Sequence, residues 1–170
     1  NIKSMIEAAS TLTSEKAVAL FEKFGIYTKA ELESREEIIY ETYAKTINIE
    51  ALTMIDMAGK QIIPAVVKYT KTLADTANAI KAAGGDASVQ TELLADVSTK
   101  LAAMQKELNK LVADEKEASA MEDVKAQAFF YKDTIKATMD ELRKPADELE
   151  MIVDKDVWPI PTYGELMFEV

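Results

Sequence analysis

Apolar side chains recur at alternating steps of three and four residues through most of the chain, with Glu and Lys filling the gaps. One series is Leu94, Val97, Leu101, Met104, Leu108 and Leu111. Another is Val124, Ala128, Tyr131, Ile135, Thr138, Leu142, Ala146, Leu149 and Val153. An earlier one runs through Leu52, Ile55, Gly59, Ile62, Val66, Tyr69, Leu73 and Ile80. Such spacing collects a narrow apolar seam on one side of a helix, as in coiled coils. Long helices with these seams, joined by short turns, predict an all-α fold, an antiparallel bundle with coiled-coil-like packing. Leu101 and Leu108 should then be buried, and Lys100 and Lys110 exposed.

Local signals punctuate the pattern. Thr28–Glu31 and Ser119–Glu122 both read as capping boxes, in which hydroxyl and carboxylate each satisfy a free backbone N–H. Gly84-Gly85 marks a turn, after which Asp86 or Ser88 can cap the next helix. Thr46-Ile47-Asn48-Ile49 is poor in helix formers and predicts a break. Pro64 and Pro145 each remove a backbone donor and predict kinks. Towards the start, residues 2–9 look like the end of a helix. Thr13 is placed to cap a short helix reaching about Phe24, with Gly25 as its stop. After Asp156 the periodicity ends, and Pro159 and Pro161 predict extended backbone around Trp158. These signals divide the chain into short helices over 1–27, a long-helix bundle over 28–156 and a short extended C-terminal tail over 157–170. The opening at Asn1, inside a helical pattern, reads as a boundary within a larger protein.

Composition narrows the chemistry. The 170 residues carry a net charge of −10, which disfavours nucleic acid and anionic membrane surfaces as partners. No apolar run is long enough to span a bilayer. There is no Cys and no His, so thiol nucleophiles and the commonest general base and metal ligand are all absent. No Gly-rich phosphate loop occurs. The pairs Glu36-Glu37, Asp140-Glu141 and Asp147-Glu148 diverge by about 100 degrees on a helix and read as solvated faces. Arg35 and Arg143 have acidic neighbours at helical spacing and read as surface pairs. Met54, Met57, Met104, Met121, Met139 and Met151 read as core filler. Phe129-Phe130-Tyr131 is different, because three consecutive aromatics cannot all face one seam. The candidate interface is therefore Phe129 and Phe130 together with Trp158, Tyr163 and Phe168 of the tail. No catalytic, cofactor-binding or metal-binding residue is assigned.

Several stretches resemble the C-terminal region of type III glutamine synthetases. They are Glu15–Gly25 (EKAVALFEKFG), Glu31–Glu37 (ELESREE), Thr46–Ala58 (TINIEALTMIDMA), Gln61–Ala65 (QIIPA) and Asp147–Val170 (DELEMIVDKDVWPIPTYGELMFEV). Residues from about 74 to 124 are generic helix. The resemblance implies a cytoplasmic parent enzyme of nitrogen metabolism that makes glutamine from glutamate, ammonia and ATP. Mg or Mn and ATP would bind in a preceding catalytic domain, of which this chain has no counterpart. It also implies assembly as a homo-oligomer of two stacked hexameric rings. The chain would then be a C-terminal scaffold touching its own catalytic domain and other subunits. The rival reading is a stand-alone coiled-coil adaptor, which bundle periodicity does not distinguish.

Overall fold

The computed structural model describes Ile2 and residues 4–168, the side chain of Tyr163 excepted. Its α-helices are α1 (Met5–Ala9), α2 (Glu15–Lys23), α3 (Lys29–Met57), α4 (Ile63–Ala82), α5 (Ser88–Ser119), α6 (Val124–Phe130), α7 (Lys136–Glu150) and α8 (Tyr163–Phe168). Single π-helical turns, Ala58–Ile62 and Tyr131–Ile135, join α3 to α4 and α6 to α7. No strand occurs among the described residues. The fold is an all-α helical bundle.

Caps set several boundaries. The Thr28–Glu31 box forms: the Thr28 N–H donates to Glu31 Oε2 (2.7 Å), and the Glu31 N–H donates to Thr28 Oγ1 (3.3 Å). Ser14, one residue beyond the expected Thr13, caps α2 by accepting from the Ala17 N–H (3.4 Å). Gly25 ends that helix with φ of +63°, in the left-handed region that glycine adopts without a steric penalty. The Ser119–Glu122 box does not form. Instead α5 runs through Ser119, and Asp123 caps α6 by accepting from the Ala126 N–H (2.7 Å).

The break expected at Thr46–Ile49 is absent. Ile47 is buried on the same face as Ala44 and Ala51, so tertiary burial outweighs the weak local propensity. Pro64 acts differently from a simple kink. It has no N–H to offer, and the turn before it widens, with the Ile63 N–H donating to Ala58 O across five residues. One extra residue in that turn rephases the helix. Before it the buried face follows Ala44, Ile47, Ala51 and Ala58; after it, Ile62, Val66, Leu73 and Ala77. Leu52 and Gly59, assigned to the seam from sequence, are therefore exposed, whereas Ile62, Val66 and Leu73 are buried as expected. In α7 the seam uses Pro145 rather than Ala146, and the helix continues through the proline.

The chain forms two compact units. The first comprises the chain up to Ala51 with Ala113–Ala137; the second comprises Leu52–Val112 with the chain from Thr138 onward. In the first, Ile6, Ala9, Tyr40 and Ala128 form a core, with Ile39, Tyr43, Val124 and Phe129 packed against it. In the second, Val97, Met104 and Leu111 recur every seven residues on α5 and are fully buried. Leu142, Pro145 and Leu149 of α7 are also buried there, as are Val153 and Trp158 beyond it. Leu101 is half-buried and Leu108 buried. Lys110 is exposed, but Lys100 is not: it pairs with Asp96 and with Glu148 (3.6 Å), which draws it against the helix surface.

The tail departs from a fully extended form. Tyr163–Phe168 is helical because Thr162 and Glu165 make a capping box that was not recognised in the sequence. The Thr162 N–H donates to Glu165 Oε2 (2.8 Å), and the Glu165 N–H donates to Thr162 Oγ1 (3.3 Å).

Candidate interaction surfaces

Within the first unit, α3 carries a carboxylate into the core. Leu32, Glu36, Tyr40 and Ala44 follow at steps of four, so Glu36 shares the buried stripe. It is only 9% exposed. Thr13 Oγ1 donates to Glu36 Oε2 (2.6 Å), Tyr40 Oη donates to Oε1 (2.6 Å), and Lys125 Nζ lies 3.5 Å from Oε1. Burial alone would raise the Glu36 pKa, but the two hydroxyls and the lysine charge together outweigh it and hold it below the usual carboxylate range. Burial, reinforced by the same carboxylate, pushes the Tyr40 hydroxyl well above its ordinary range. The sequence reading of Glu36-Glu37 as a solvated pair is thus wrong for Glu36. Its spacing from Leu32 and Tyr40 was the available signal.

Two neighbouring grooves flank this network. One, of 520 Å³, is lined by Glu33, Glu36, Glu37, Tyr40, Glu122, Asp123, Val124 and Lys125. The other, of 340 Å³, lies between α3 and the corner joining α5 to α6. Val124 and Glu122 line both.

The candidate interface residues fall into distinct environments. Phe129 packs on the first unit's core, its ring centroid 6.3 Å from that of Tyr40, with Lys132 Nζ 5.6 Å from its ring. Phe130 is half-buried. Trp158 is buried in the second unit, its Nε1 without a hydrogen-bond partner. Phe168 is 79% exposed, and Leu166 and Met167 beside it on α8 are exposed as well. The Tyr163 side chain lies outside the described residues. Met151 is also exposed, against its reading as core filler, because the helix has ended one residue earlier. Arg35 stacks 4.2 Å from the Tyr27 ring, and Arg143 Nε donates to Asp147 Oδ2 (3.1 Å).

Among the described residues no group of three or more Asp or Glu side chains is arranged to hold a metal ion. No helix among them is long and apolar enough to cross a membrane.

Residues 1–81 match the family model for the glutamine synthetase C-terminal domain. A glutamine synthetase of Butyrivibrio fibrisolvens is 36% identical over 172 residues, covering 100% of this chain. The chain belongs to the glutamine synthetase C-terminal family. A type-3 glutamine synthetase of Dictyostelium discoideum is 32% identical over 99% of the chain. A glutamine synthetase of Bacteroides fragilis is 28% identical over the same share. The chain spans about a quarter of the length of these relatives: 25% of the first and 24% of the other two. The family model ends within α4, whereas the glutamine synthetase relatives also cover α5, whose sequence alone pointed to no family.

Proposed function

We propose that this chain is the C-terminal scaffold of a type III glutamine synthetase. It forms contacts with the enzyme's catalytic part and with other subunits of a homo-oligomer arranged as two stacked hexameric rings. The parent enzyme joins ammonia to glutamate with hydrolysis of ATP to ADP and phosphate, in the cytoplasm. Mg or Mn and ATP belong to the catalytic part. Among the described residues of this chain, no group of three or more acidic side chains is arranged to hold a metal ion, and Glu36 is engaged by Thr13 and Tyr40.

The observation that carries the scaffold reading is α8. It presents Leu166, Met167 and Phe168 to solvent at the end of a chain that spans a quarter of its relatives. Leu166, Met167 and Phe168 are consecutive and fan out over about 200 degrees of this six-residue helix, so burying them takes contact on more than one of its sides. Phe130, half-buried beside the packed Phe129, is a secondary contact residue.

The test is made in the full-length parent enzyme. Phe168→Ser with Met167→Ser should shift the mass measured by native mass spectrometry towards smaller assemblies, with a fall in glutamine formation. An unchanged assembly with full activity would refute the role of α8. The 170-residue chain by itself should give no saturable heat with Mg-ATP in calorimetry, since it lacks a phosphate-cradling loop. Micromolar binding there would contradict the division of labour.

A further inference from the structure

α2 is tied down firmly but covered poorly. Ser14 starts it and the Gly25 turn ends it, with the Gly25 N–H donating to Glu22 O (3.0 Å) and the Ile26 N–H to Phe21 O (2.9 Å). Glu22 Oε1 accepts from the Lys29 N–H (3.2 Å) at the start of α3. The Phe21 ring lies 5.6 Å from that of Tyr27, on which Arg35 of α3 stacks. These ties fix the helix to α3, yet none of its nine residues is buried. Leu20 and Phe24, a step of four apart on one face, are 54% and 63% exposed, and Ile26 beyond the turn is 56% exposed.

A fixed apolar face of this kind is already organised for contact, which lowers the entropy lost on docking. Its size limits the occupant. Stable association between free proteins takes roughly 20–30 residues a side, and three side chains fall far short of that. They cannot by themselves hold a separate partner or a second copy of this chain. A tethered occupant needs less, because linkage in one polypeptide supplies an effective concentration of about millimolar. Under the glutamine synthetase reading such an occupant exists: about three quarters of the length of each relative lies outside the matched segment. We infer that the Leu20–Phe24 face of α2, with Ile26, docks on an apolar surface of the parent polypeptide outside these 170 residues. Glu15 and Glu22 balance Lys16 and Lys23 along α2, so the contact is apolar rather than steered by charge. The inference rests on the glutamine synthetase reading and adds a second contact to that of α8, in the other compact unit.

The test is photo-crosslinking in the full-length parent enzyme, with p-benzoyl-phenylalanine in place of Phe24 or, in a second variant, of Leu20. A third variant carries the same group in place of Phe168 on α8. Both positions are exposed in the 170-residue chain, so the replacements leave its core intact. After irradiation the crosslinked peptides are sequenced by mass spectrometry. Those from Phe24 and Leu20 should come from the same enzyme but from outside the 170-residue segment. A large excess of the free 170-residue chain should leave their yield unchanged, because the contact is tethered. Crosslinks confined to peptides of the segment, or made to another protein, would overturn the inference. So would a yield that falls as free chain is added, or no crosslink at either position. Crosslinks at Phe168 with none at Phe24 and Leu20 would overturn this inference alone. Crosslinks at Phe24 and Leu20 with none at Phe168 would support it and count against the α8 contact.

Discussion

The two short helices near the ends of the chain make an instructive pair. α1 has five residues and α8 six, and each is started by a side-chain cap, from Ser4 in one and Thr162 in the other. Both also have a lysine tie, Lys132 to Glu7 (2.8 Å) and Lys155 to Glu165 (2.9 Å). Their burial is opposite. Ile6 and Ala9 of α1 are sealed into a core with Tyr40 and Ala128, whereas the large apolar groups of α8 are exposed. Helices this short are not stable by propensity alone. The comparison teaches that a cap decides where a short helix starts, and burial decides what holds it. For α1 the burial is within its own unit; for α8, under the proposed function, it comes from another part of the enzyme.

The largest expected effect separates the two helices directly. Ile6→Ala should lower stability by ~2–5 kcal/mol in urea denaturation, whereas Leu166→Ala in the 170-residue chain should stay within about 0.5 kcal/mol. Equal denaturation midpoints for the two variants would break the contrast.

Next comes the polar tie beside the α1 seat. Glu36→Gln keeps the shape of the side chain but removes its charge, and should cost about 1–3 kcal/mol. The Glu36 pKa is lower in the folded chain than its ordinary 4.5. Its contribution is therefore complete above that value and is lost as pH falls below it, through the depressed folded value. Acid denaturation should show this loss in the unaltered chain and not in Glu36→Gln. Parallel acid profiles for the two would sink the assignment.

The smallest effect concerns the α8 cap. The Thr162 backbone N–H, the Lys155 ammonium and the Thr162 hydroxyl lower the Glu165 pKa to about 2. The cap should thus persist at neutral pH and fray only as pH falls from the ordinary carboxylate value towards about 2. Carbon-13 shifts of Glu165 report its titration, and a midpoint near 4.5 would show that the box is not formed. Global stability should hardly change in Glu165→Gln.

Much of this fold was legible. The seven-residue spacing of Val97, Met104 and Leu111 placed the α5 seam, and the Thr28–Glu31 box and the Gly84-Gly85 turn marked true boundaries. What escaped had physical causes. A π turn adds one residue without altering composition, so the Leu52–Gly59 register slipped by one position. Ser119 competed with Asp123 as a cap, and the longer α5 took Ser119 into its last turn. Glu36 was judged by its charge, although its place in the stripe with Leu32 and Tyr40 signalled burial. Of the candidate interface, sequence identified the aromatic residues but not their settings: Trp158 is an internal anchor, while Phe168 is exposed.

The central claim is that α8 is a docking element completed by the rest of the enzyme. Hydrogen exchange measured by mass spectrometry on residues 163–168 tests it most directly, comparing the dilute 170-residue chain with the assembled full-length enzyme. The account predicts rapid exchange in the chain and strong protection in the assembly, while peptides around Ile6 are protected in both. Strong protection of residues 163–168 in the dilute chain, or none in the assembly, would contradict it.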